Sequence, residues 1–356
     1  MRRGGGFCQT GAMPIRFPVP LSPGDRIGVT APSSGVAEAL RPRLDVAIDK
    51  VRYQGYDVVV GACLDGSGHV SAPVEDRAAE LNWMLTEPTI RAVVPPWGGE
   101  TGIDLVEHLD WAAIDEAEPT WFVGFSDIST LLTPMTLITG IATVHGNNLM
   151  DTPYRTPAGL TDWLDIVTRE PGDTFDQRPP GMYRSTGHVD YARDPGVSHY
   201  TLDMPTTWRR IDSAGPEPVE VTGRLIGGCI ETMANLAGTP YADVGTFAAR
   251  HAPEGLIVYV EAALDNAGSV CRKLHGMRLA GFFQGARAVL IGRTTAPWMG
   301  RFSQYDAVCD ALEPLGVPLI ADVECGHVAP YLPLVNGALA TVRFGTADEG
   351  ITQTLA

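Results

Sequence analysis

Short apolar runs alternate with amphipathic segments from Asp25 to about Arg169. The runs predict strands and the segments between them predict crossover helices, a combination that is typical of a parallel sheet. The predicted strands of this half are Arg26–Thr30, Asp57–Val60, Arg91–Val94, Trp121–Gly124 and Ile141–Val144. The pattern therefore predicts an α/β domain over residues 17–176.

A second α/β pattern follows an irregular stretch. Residues 177–220 are rich in Pro, Gly, Asp, Arg and Tyr without clear periodicity, which indicates a linker or an irregular loop. Strand and helix patterns then return, with predicted strands at Leu256–Val260, Ala288–Gly292 and Pro318–Ala321 and a predicted helix at Ala267–Leu279. We predict a C-terminal α/β domain over residues 221–356 and a flexible N-terminal extension over residues 1–16.

Charge and composition exclude several classes of partner. The 356 residues carry a formal charge of -16, whereas a nucleic-acid polymer or an anionic membrane needs a basic footprint. No apolar stretch approaches the roughly 18 residues of a membrane span, so we expect a cytoplasmic protein.

The six cysteines show neither CxxC spacing nor a Cys/His cluster at zinc spacing, and no GxGxxG or P-loop motif follows the first strand. We expect reduced thiols, no metal and no cofactor.

Ser126 is the candidate nucleophile. It follows the apolar run Trp121–Gly124 and precedes the helix-forming segment Ile128–Leu132. Its hydroxyl is therefore predicted to lie on a strand-to-helix turn at the carboxyl end of a strand, where ligand sites gather. The second glycine of the GxSxG elbow is missing, because position 128 is isoleucine. A helix N-cap serine is the alternative.

A serine hydroxyl needs a base to remove its proton, and histidine has a suitable pKa. His327, in a loop after the predicted strand Pro318–Ala321, is the first candidate, and His145, after the predicted strand Ile141–Val144, is its rival. A hydrogen-bonded structural histidine is the alternative for either one. Glu261, at the end of a strand, is the candidate carboxylate that orients the base, or else a helix cap.

Backbone amides are the candidate oxyanion donors. The pair Gly98–Gly99 follows a predicted strand and has no side chains to block an approaching group, while the Asp127 amide lies at a predicted helix N-terminus. We predict that the diglycine and the Asp127 amide together supply the oxyanion hole. A tight turn is the alternative for the diglycine.

Taken in order, these segments resemble the LD-carboxypeptidase family of serine peptidases, which includes the microcin C immunity proteins. The likeness runs from about Gly24 to Val342, and its landmarks are Pro23–Ser33, Gly98–Gly99, Gly124–Asp127, Gly223–Gly228, Glu261 and Gly326–His327. The resemblance implies Ser126 as nucleophile, Glu261 as the orienting carboxylate and His327 as the base. It further implies that the backbone amides at Gly99 and Asp127 form the oxyanion hole, and we expect Gly98 to border the substrate. It also implies an N-terminal Rossmann-like (flavodoxin-like) domain, a smaller C-terminal α/β domain, an active site at their junction and a homodimer.

The family has two main activities, which are removal of the terminal D-alanine from murein tetrapeptides and cleavage of peptidyl or aminoacyl nucleotides related to microcin C. The long central segment resembles the immunity-protein branch, in which an aromatic loop stacks on the nucleobase. Trp208 is therefore the candidate stacking residue, with packing against a domain as the alternative, and Arg224 is a candidate substrate-binding residue. The segment Ala262–Asp265 departs from that branch, which carries further charged residues there.

We therefore expect a serine peptidase that acts on a small peptidyl or aminoacyl nucleotide. Murein tetrapeptide LD-carboxypeptidase activity is the first alternative. A noncatalytic protein that binds nucleotides or peptides is the second.

Overall fold

The computed structural model describes residues 12–187 and 189–356 and contains two large sheets with helices packed on them. The strands are β1 (Arg26–Val29), β2 (Asp57–Val60), β3 (Ile90–Val93), β4 (Trp121–Gly124), β5 (Thr143–His145), β6 (Thr174–Gln177), β7 (Met182–Tyr183), β8 (Met204–Pro205), β9 (Arg209–Arg210), β10 (Val219–Cys229), β11 (Leu256–Glu261), β12 (Ala286–Gly292), β13 (Leu319–Val323), β14 (Leu334–Asn336), β15 (Leu339–Phe344) and β16 (Gly350–Thr354). The α-helices are α1 (Arg41–Tyr53), α2 (Val74–Thr86), α3 (Trp111–Glu116), α4 (Ser129–Thr139), α5 (Trp163–Val167), α6 (Ile230–Leu236), α7 (Val244–His251), α8 (Ala267–Leu279) and α9 (Gln304–Leu312).

The first sheet has the strand order β14-β5-β4-β3-β1-β2. Strands β1 to β5 are parallel, and their order 2-1-3-4-5 is the flavodoxin-like arrangement, in which ligands bind at the carboxyl ends of the strands. The predicted N-terminal parallel-sheet fold is therefore confirmed. The loops after β1, β3 and β4 meet at that edge of the sheet.

The second sheet has the order β6-β16-β15-β10-β11-β12-β13-β9. Its centre, β10 to β13, is parallel, and antiparallel strands flank it on both sides. Helices α8 and α9 pack against each other on this half of the molecule. The predicted second α/β domain is therefore also confirmed.

Each sheet contains one strand from the part of the chain that was assigned to the other domain, and the predicted domain boundaries do not include this crossing. β6 belongs to the stretch assigned to the first domain, yet it pairs with β16 in the second sheet. Conversely, β14 comes from the C-terminal stretch and pairs antiparallel with β5 in the first sheet. Residues 177–220 are also more ordered than a plain linker, since β7 pairs with β8 and β9 pairs with β13.

The structure tests the predicted flexible N-terminal extension, residues 1–16, only from residue 12 onward. Residues 1–11 lie outside the described residues. The segment that follows is held in place, because the Met13 amide donates to the Arg250 carbonyl at 2.8 Å and Ile15 is 6 % exposed. The prediction of a flexible extension is therefore wrong for residues 13–16. Among the described residues, no helix combines the length and the apolar character that crossing a bilayer requires.

Helix α4 joins the two domains. Almost all its residues are buried, and it carries no charged side chain. The Thr133 hydroxyl donates to the Gly227 carbonyl of β10 at 2.5 Å, and the Cys229 amide donates to the Ser129 hydroxyl at 3.3 Å. A Cβ atom at Gly228 would lie 2.8 Å from the Ser129 Cβ, so only glycine permits this approach.

A second connection between the sheets is a buried chain of hydrogen bonds. The Tyr259 hydroxyl of β11 donates to Asn336 Oδ1 of β14 at 2.7 Å. Asn336 Nδ2 in turn donates to Thr143 Oγ1 of β5 at 3.0 Å. All three residues are fully buried, so each polar atom depends on its protein partner.

We expect Tyr259→Phe to lower the free energy of unfolding by about 1–3 kcal/mol, because it leaves the buried Asn336 carbonyl oxygen without its donor. Urea denaturation followed by circular dichroism measures the change. Tyr53→Phe is the matched control, since Tyr53 is 88 % exposed, and it should leave the denaturation midpoint in place. Equal midpoints for the two variants would contradict a stabilising role for this chain of bonds.

Candidate active site

Ser126 lies on a strained turn at the end of β4. Its φ is +62°, in the left-handed region that non-glycine residues rarely adopt. Such strain is typical of functional positions and of nucleophile elbows, where it projects the hydroxyl away from the sheet. The turn is held from beneath, because Asn148 Oδ1 accepts the Phe125 amide at 3.2 Å. Ser126 is therefore placed as a nucleophile would be, although its motif lacks the second glycine.

His327 connects Ser126 to Glu261. It lies in the loop after β13, with its Nε2 atom 2.9 Å from Ser126 Oγ and its Nδ1 atom 2.7 Å from Glu261 Oε2. The three side chains come from both domains and form a continuous Ser–His–Glu chain of hydrogen bonds. With the proton on Nδ1 held by the carboxylate, Nε2 is free to accept the serine proton, as in other catalytic triads.

Two glycines make room for the Glu261 side chain. Glu261 ends β11 and is completely buried. A Cβ atom at Gly292, the last residue of β12, would lie 2.5 Å from the Glu261 Cβ, and one at Gly326 would lie 3.2 Å from Glu261 Oε2. Since neither neighbour has a side chain, the carboxylate can reach His327 from the end of its strand.

The surroundings of His327 act on its pKa in opposite directions. Burial alone would lower the pKa, because it disfavours the imidazolium ion. The negative charge of Glu261 and its hydrogen bond to the ring outweigh burial, so the pKa of His327 is raised above its ordinary value of 6.5. A raised pKa strengthens the histidine as a base for the serine proton.

His145, the rival base, has a different position. It is 2 % exposed, and its Nε2 atom lies 3.0 Å from the carbonyl oxygen of Cys325. Nε2 donates in that bond, and burial lowers the pKa of His145 below its ordinary value of 6.5, which favours the neutral ring. His145 therefore supports the loop that carries His327, which corresponds to the structural alternative.

The diglycine loop approaches the nucleophile closely. A Cβ atom at Gly98 would lie 2.9 Å from the Ser126 Cβ and 3.0 Å from the Asp127 amide nitrogen, so a side chain there would fill the space in front of that amide. Gly99 borders a cavity together with Ser126 and Asp127. The Asp127 amide belongs to the first turn after β4, where helical amides have no partner within the helix. The structure thus brings Gly98, Gly99 and Asp127 together beside Ser126.

The Asp127 carboxylate has a structural role that the sequence does not indicate. Its Oδ2 atom accepts the Ser33 hydroxyl at 2.6 Å and the Gly102 amide at 2.6 Å. The side chain is 3 % exposed and ties the loops after β1 and β3 to the nucleophile turn. The only sequence signal is the position of Ser33 and Gly102 in loops that follow predicted strands.

Two cavities border Ser126. The first, of about 270 Å³, is rich in aromatic side chains and is lined by Pro96, Trp97, Gly98, Phe125, Ser126, Asn148, Met150, Asp151, Tyr154, Arg184, Val189, Tyr191, Tyr200, His327 and Tyr331. The second, of about 300 Å³, is charged and is lined by Gly99, Glu100, Ile103, Ser126, Asp127, Thr130, Cys229, Glu231, Thr232, Asn235, Ala263, Leu264, Asp265 and Lys273. A scissile bond at Ser126 would thus have room for substituents on both sides.

Trp208 does not line either cavity, so the prediction that it stacks on the substrate is wrong. It is 3 % exposed and packs in the second domain, where its indole nitrogen donates to Glu324 Oε2 at 2.9 Å. The other oxygen of Glu324 accepts from Arg293 at 2.9 Å. Trp208 therefore anchors the segment before β9, as in the packing alternative.

Arg224 is also away from the site, so its predicted contact with substrate is wrong. It pairs with Leu256, the first residue of β11, whereas Glu261 is the last residue of that strand. The Arg224 guanidinium forms an ion pair with Glu254 at 3.2 Å and donates to the Gly337 carbonyl at 2.8 Å. These contacts fix the opposite end of the sheet.

Two groups of side chains in the described part of the chain have the donor atoms and spacing to hold a metal ion. One consists of Cys229, Glu261 and His327, but the last two already engage each other and Ser126. The other consists of Cys271, His275 and Asp310, outside both cavities. The five cysteines that the structure describes are free thiols.

Both halves of the chain match domains of a known protein family. Residues 27–146 match the LD-carboxypeptidase N-terminal domain, and residues 222–342 match the LD-carboxypeptidase C-terminal domain. Together these two matches extend over most of the sequence and include all three residues of the Ser–His–Glu chain.

Similar proteins match this chain over 66% of its length or more. The microcin C7 self-immunity protein MccF of Escherichia coli is 22% identical over 94% of this chain and 95% of its own. The murein tetrapeptide carboxypeptidase of Pseudomonas aeruginosa is 27% identical over 66% of each chain. The solved structure of MccF in complex with aspartyl sulfamoyl adenosine has a TM-score of 0.78 at 21% identity, covering 95% of this chain and 98% of that one. The chain therefore belongs to the LD-carboxypeptidase family of serine peptidases.

Proposed function

We propose that the protein hydrolyses an amide bond through an acyl-enzyme formed on Ser126. His327 Nε2 removes the hydroxyl proton as Oγ attacks the carbonyl carbon, and Glu261 holds the ring and stabilises the imidazolium. The amides of Gly99 and Asp127 stabilise the oxyanion, a contribution of about 2.7–4 kcal/mol for each such donor in other enzymes. The imidazolium then gives its proton to the leaving nitrogen, and the C–N bond breaks.

Water completes the reaction by the same route. His327 removes a proton from the water as the water oxygen attacks the acyl carbon, and it then gives that proton to Ser126 Oγ as the C–O bond of the acyl-enzyme breaks and the acid leaves. The observation that carries this proposal is the pair of hydrogen bonds, 2.9 Å and 2.7 Å, that joins Ser126, His327 and Glu261 beside a strained nucleophile turn. Family membership supports catalysis over the noncatalytic alternative.

We further propose that the substrate is a peptidyl or aminoacyl nucleotide, which is also the substrate class expected first from the sequence. The aromatic cavity supports this proposal, since Tyr154 and Tyr200 stack with ring centroids 4.2 Å apart and Tyr331 meets Tyr200 edge to face at 6.1 Å. Flat aromatic surfaces bind nucleobases by stacking. These tyrosines would provide the stacking surface that was expected of Trp208. The homodimer and the cytoplasmic location remain predictions.

A murein tetrapeptide is the second candidate, because a relative with 27% identity is a murein tetrapeptide carboxypeptidase. Its peptide would have to use the same two cavities. The aromatic character of the first one favours the nucleotide.

Ser126→Ala should abolish labelling by a fluorophosphonate probe and lower hydrolysis by about 10⁴-fold or more, because no other group replaces the nucleophile. Gel fluorescence of the labelled protein measures the first effect. Ser213→Ala, at an exposed turn, is the matched control and should label like wild type. Labelling of Ser126→Ala at the wild-type level would contradict the assignment.

Glu261→Gln should shift the acid limb of the kcat/KM profile to lower pH. In the wild type, the charge of Glu261 raises the pKa of His327, and protonated His327 cannot accept the serine proton, so activity falls as pH drops through that pKa. The variant removes the charge, the pKa falls, and the limb follows it downward. The maximal rate should also fall, by about 10⁴-fold if the wrong tautomer is favoured. An acid limb that stays in place would contradict this role for Glu261.

Mass spectrometry of products distinguishes the two substrate classes. We expect wild type to release the free amino acid from an aminoacyl sulfamoyl adenosine and to leave a murein tetrapeptide intact. Tyr200→Ala should weaken binding of the adenosine compound by about 1–3 kcal/mol through lost stacking, while the buried Trp208→Phe control should keep its KM. Release of D-alanine from the tetrapeptide alone would instead establish the murein activity.

A further inference from the structure

Two helices of the second domain bring together a thiol, an imidazole and a carboxylate outside the active site. Cys271 and His275 are four residues apart on α8, a spacing that places both on one helix face. Asp310 lies opposite them on α9. The donor atoms of the three side chains all lie within 4.8 Å of one another.

Two hydrogen bonds in this cluster point at one oxygen atom. His275 Nε2 lies 2.7 Å from Asp310 Oδ1, and Cys271 Sγ lies 3.5 Å from the same oxygen. The Asp310 oxygen thus accepts from both the imidazole and the thiol. A divalent cation would replace these two converging protons with direct bonds to the same three atoms, once Nε2 and Oδ1 separate from 2.7 Å to the roughly 3.3 Å that two ligands of a tetrahedral ion require.

We propose that Cys271, His275 and Asp310 bind a zinc ion. Thiolate sulfur, imidazole nitrogen and carboxylate oxygen are the ligands zinc takes in proteins, and three of them with one water complete a tetrahedron. The thiolate and the carboxylate neutralise the two charges of the ion. The sequence shows no zinc motif, because the third ligand comes from a different helix.

Binding of the ion changes the protonation of Cys271 and His275. Cys271 loses its thiol proton to solvent, while the His275 proton moves from Nε2 to Nδ1 and leaves the ring neutral. Arg278 Nη2 lies 3.3 Å from His275 Nδ1 and gives up that bond, keeping the 2.8 Å bond from its Nε atom to the Ala311 carbonyl. Since one proton is released for each ion bound, zinc affinity rises with pH.

The site is accessible and independent of catalysis. The side chains of His275 and Asp310 are 37% and 57% exposed, so an ion can enter from solvent. None of the three residues lines either cavity beside Ser126. Bound zinc would clamp α8 to α9, and hydrolysis at Ser126 does not depend on it.

Zinc titration of the untagged full chain, stripped with a chelator, tests the proposal by isothermal calorimetry. We expect wild type to bind one more zinc ion per chain than Cys271→Ser or His275→Ala, or to bind it at least about tenfold more tightly. Cys309→Ser and His108→Ala are matched controls, because the Cys309 thiol donates to the Ile211 carbonyl and His108 is exposed in the first domain. Both should bind zinc like wild type.

Cobalt gives a second readout that does not depend on stability. Wild type loaded with Co²⁺ should show a thiolate-to-metal charge-transfer band that Cys271→Ser lacks. Circular dichroism confirms that each variant is folded. Absence of zinc binding by the wild type, or zinc binding and a cobalt band that survive Cys271→Ser, would overturn the proposal.

Discussion

The close approach of helix α4 to the glycine end of β10 is the contact on which the rest of the site depends. Ser129, three residues after the nucleophile, packs against Gly228, where a Cβ atom would come within 2.8 Å of the Ser129 Cβ. The neighbouring strand, β11, ends in Glu261 in register with Cys229. Because the interior is close-packed, a longer side chain at position 228 would separate the domain that holds Ser126 from the one that holds Glu261 and His327.

Glycines also leave space for functional groups at other positions around the site. Glycines at 292 and 326 give space to Glu261, and the glycine at 98 keeps the space in front of the Asp127 amide open. The Asp127 carboxylate then binds the two neighbouring loops to the nucleophile turn. Donors fixed in advance in this way need no rearrangement as charge develops, which is the usual source of catalytic electrostatics.

The sequence predicts the features that depend on local pattern. Residues 57–60, 121–124 and 267–279 form the expected elements within the expected limits, because periodicity and flanking turns determine them. Local sequence does not show which distant strands pair. The pairing of β6 with the second sheet and of β14 with the first sheet is therefore absent from the prediction. The side of a strand or loop that a residue faces is equally nonlocal, which explains the errors at Trp208 and Arg224. Local pattern also left His327 and His145 as rivals, and the structure places only His327 within reach of Ser126.

Trapping of the covalent intermediate tests the central claim most directly. Wild type mixed with an aminoacyl sulfamoyl adenosine, quenched with acid within milliseconds and digested, should yield a peptide containing Ser126 that carries the mass of the aminoacyl group. The adduct should form and decay at rates that account for steady-state turnover. Turnover without any adduct on Ser126, or an adduct on another residue, would contradict the account.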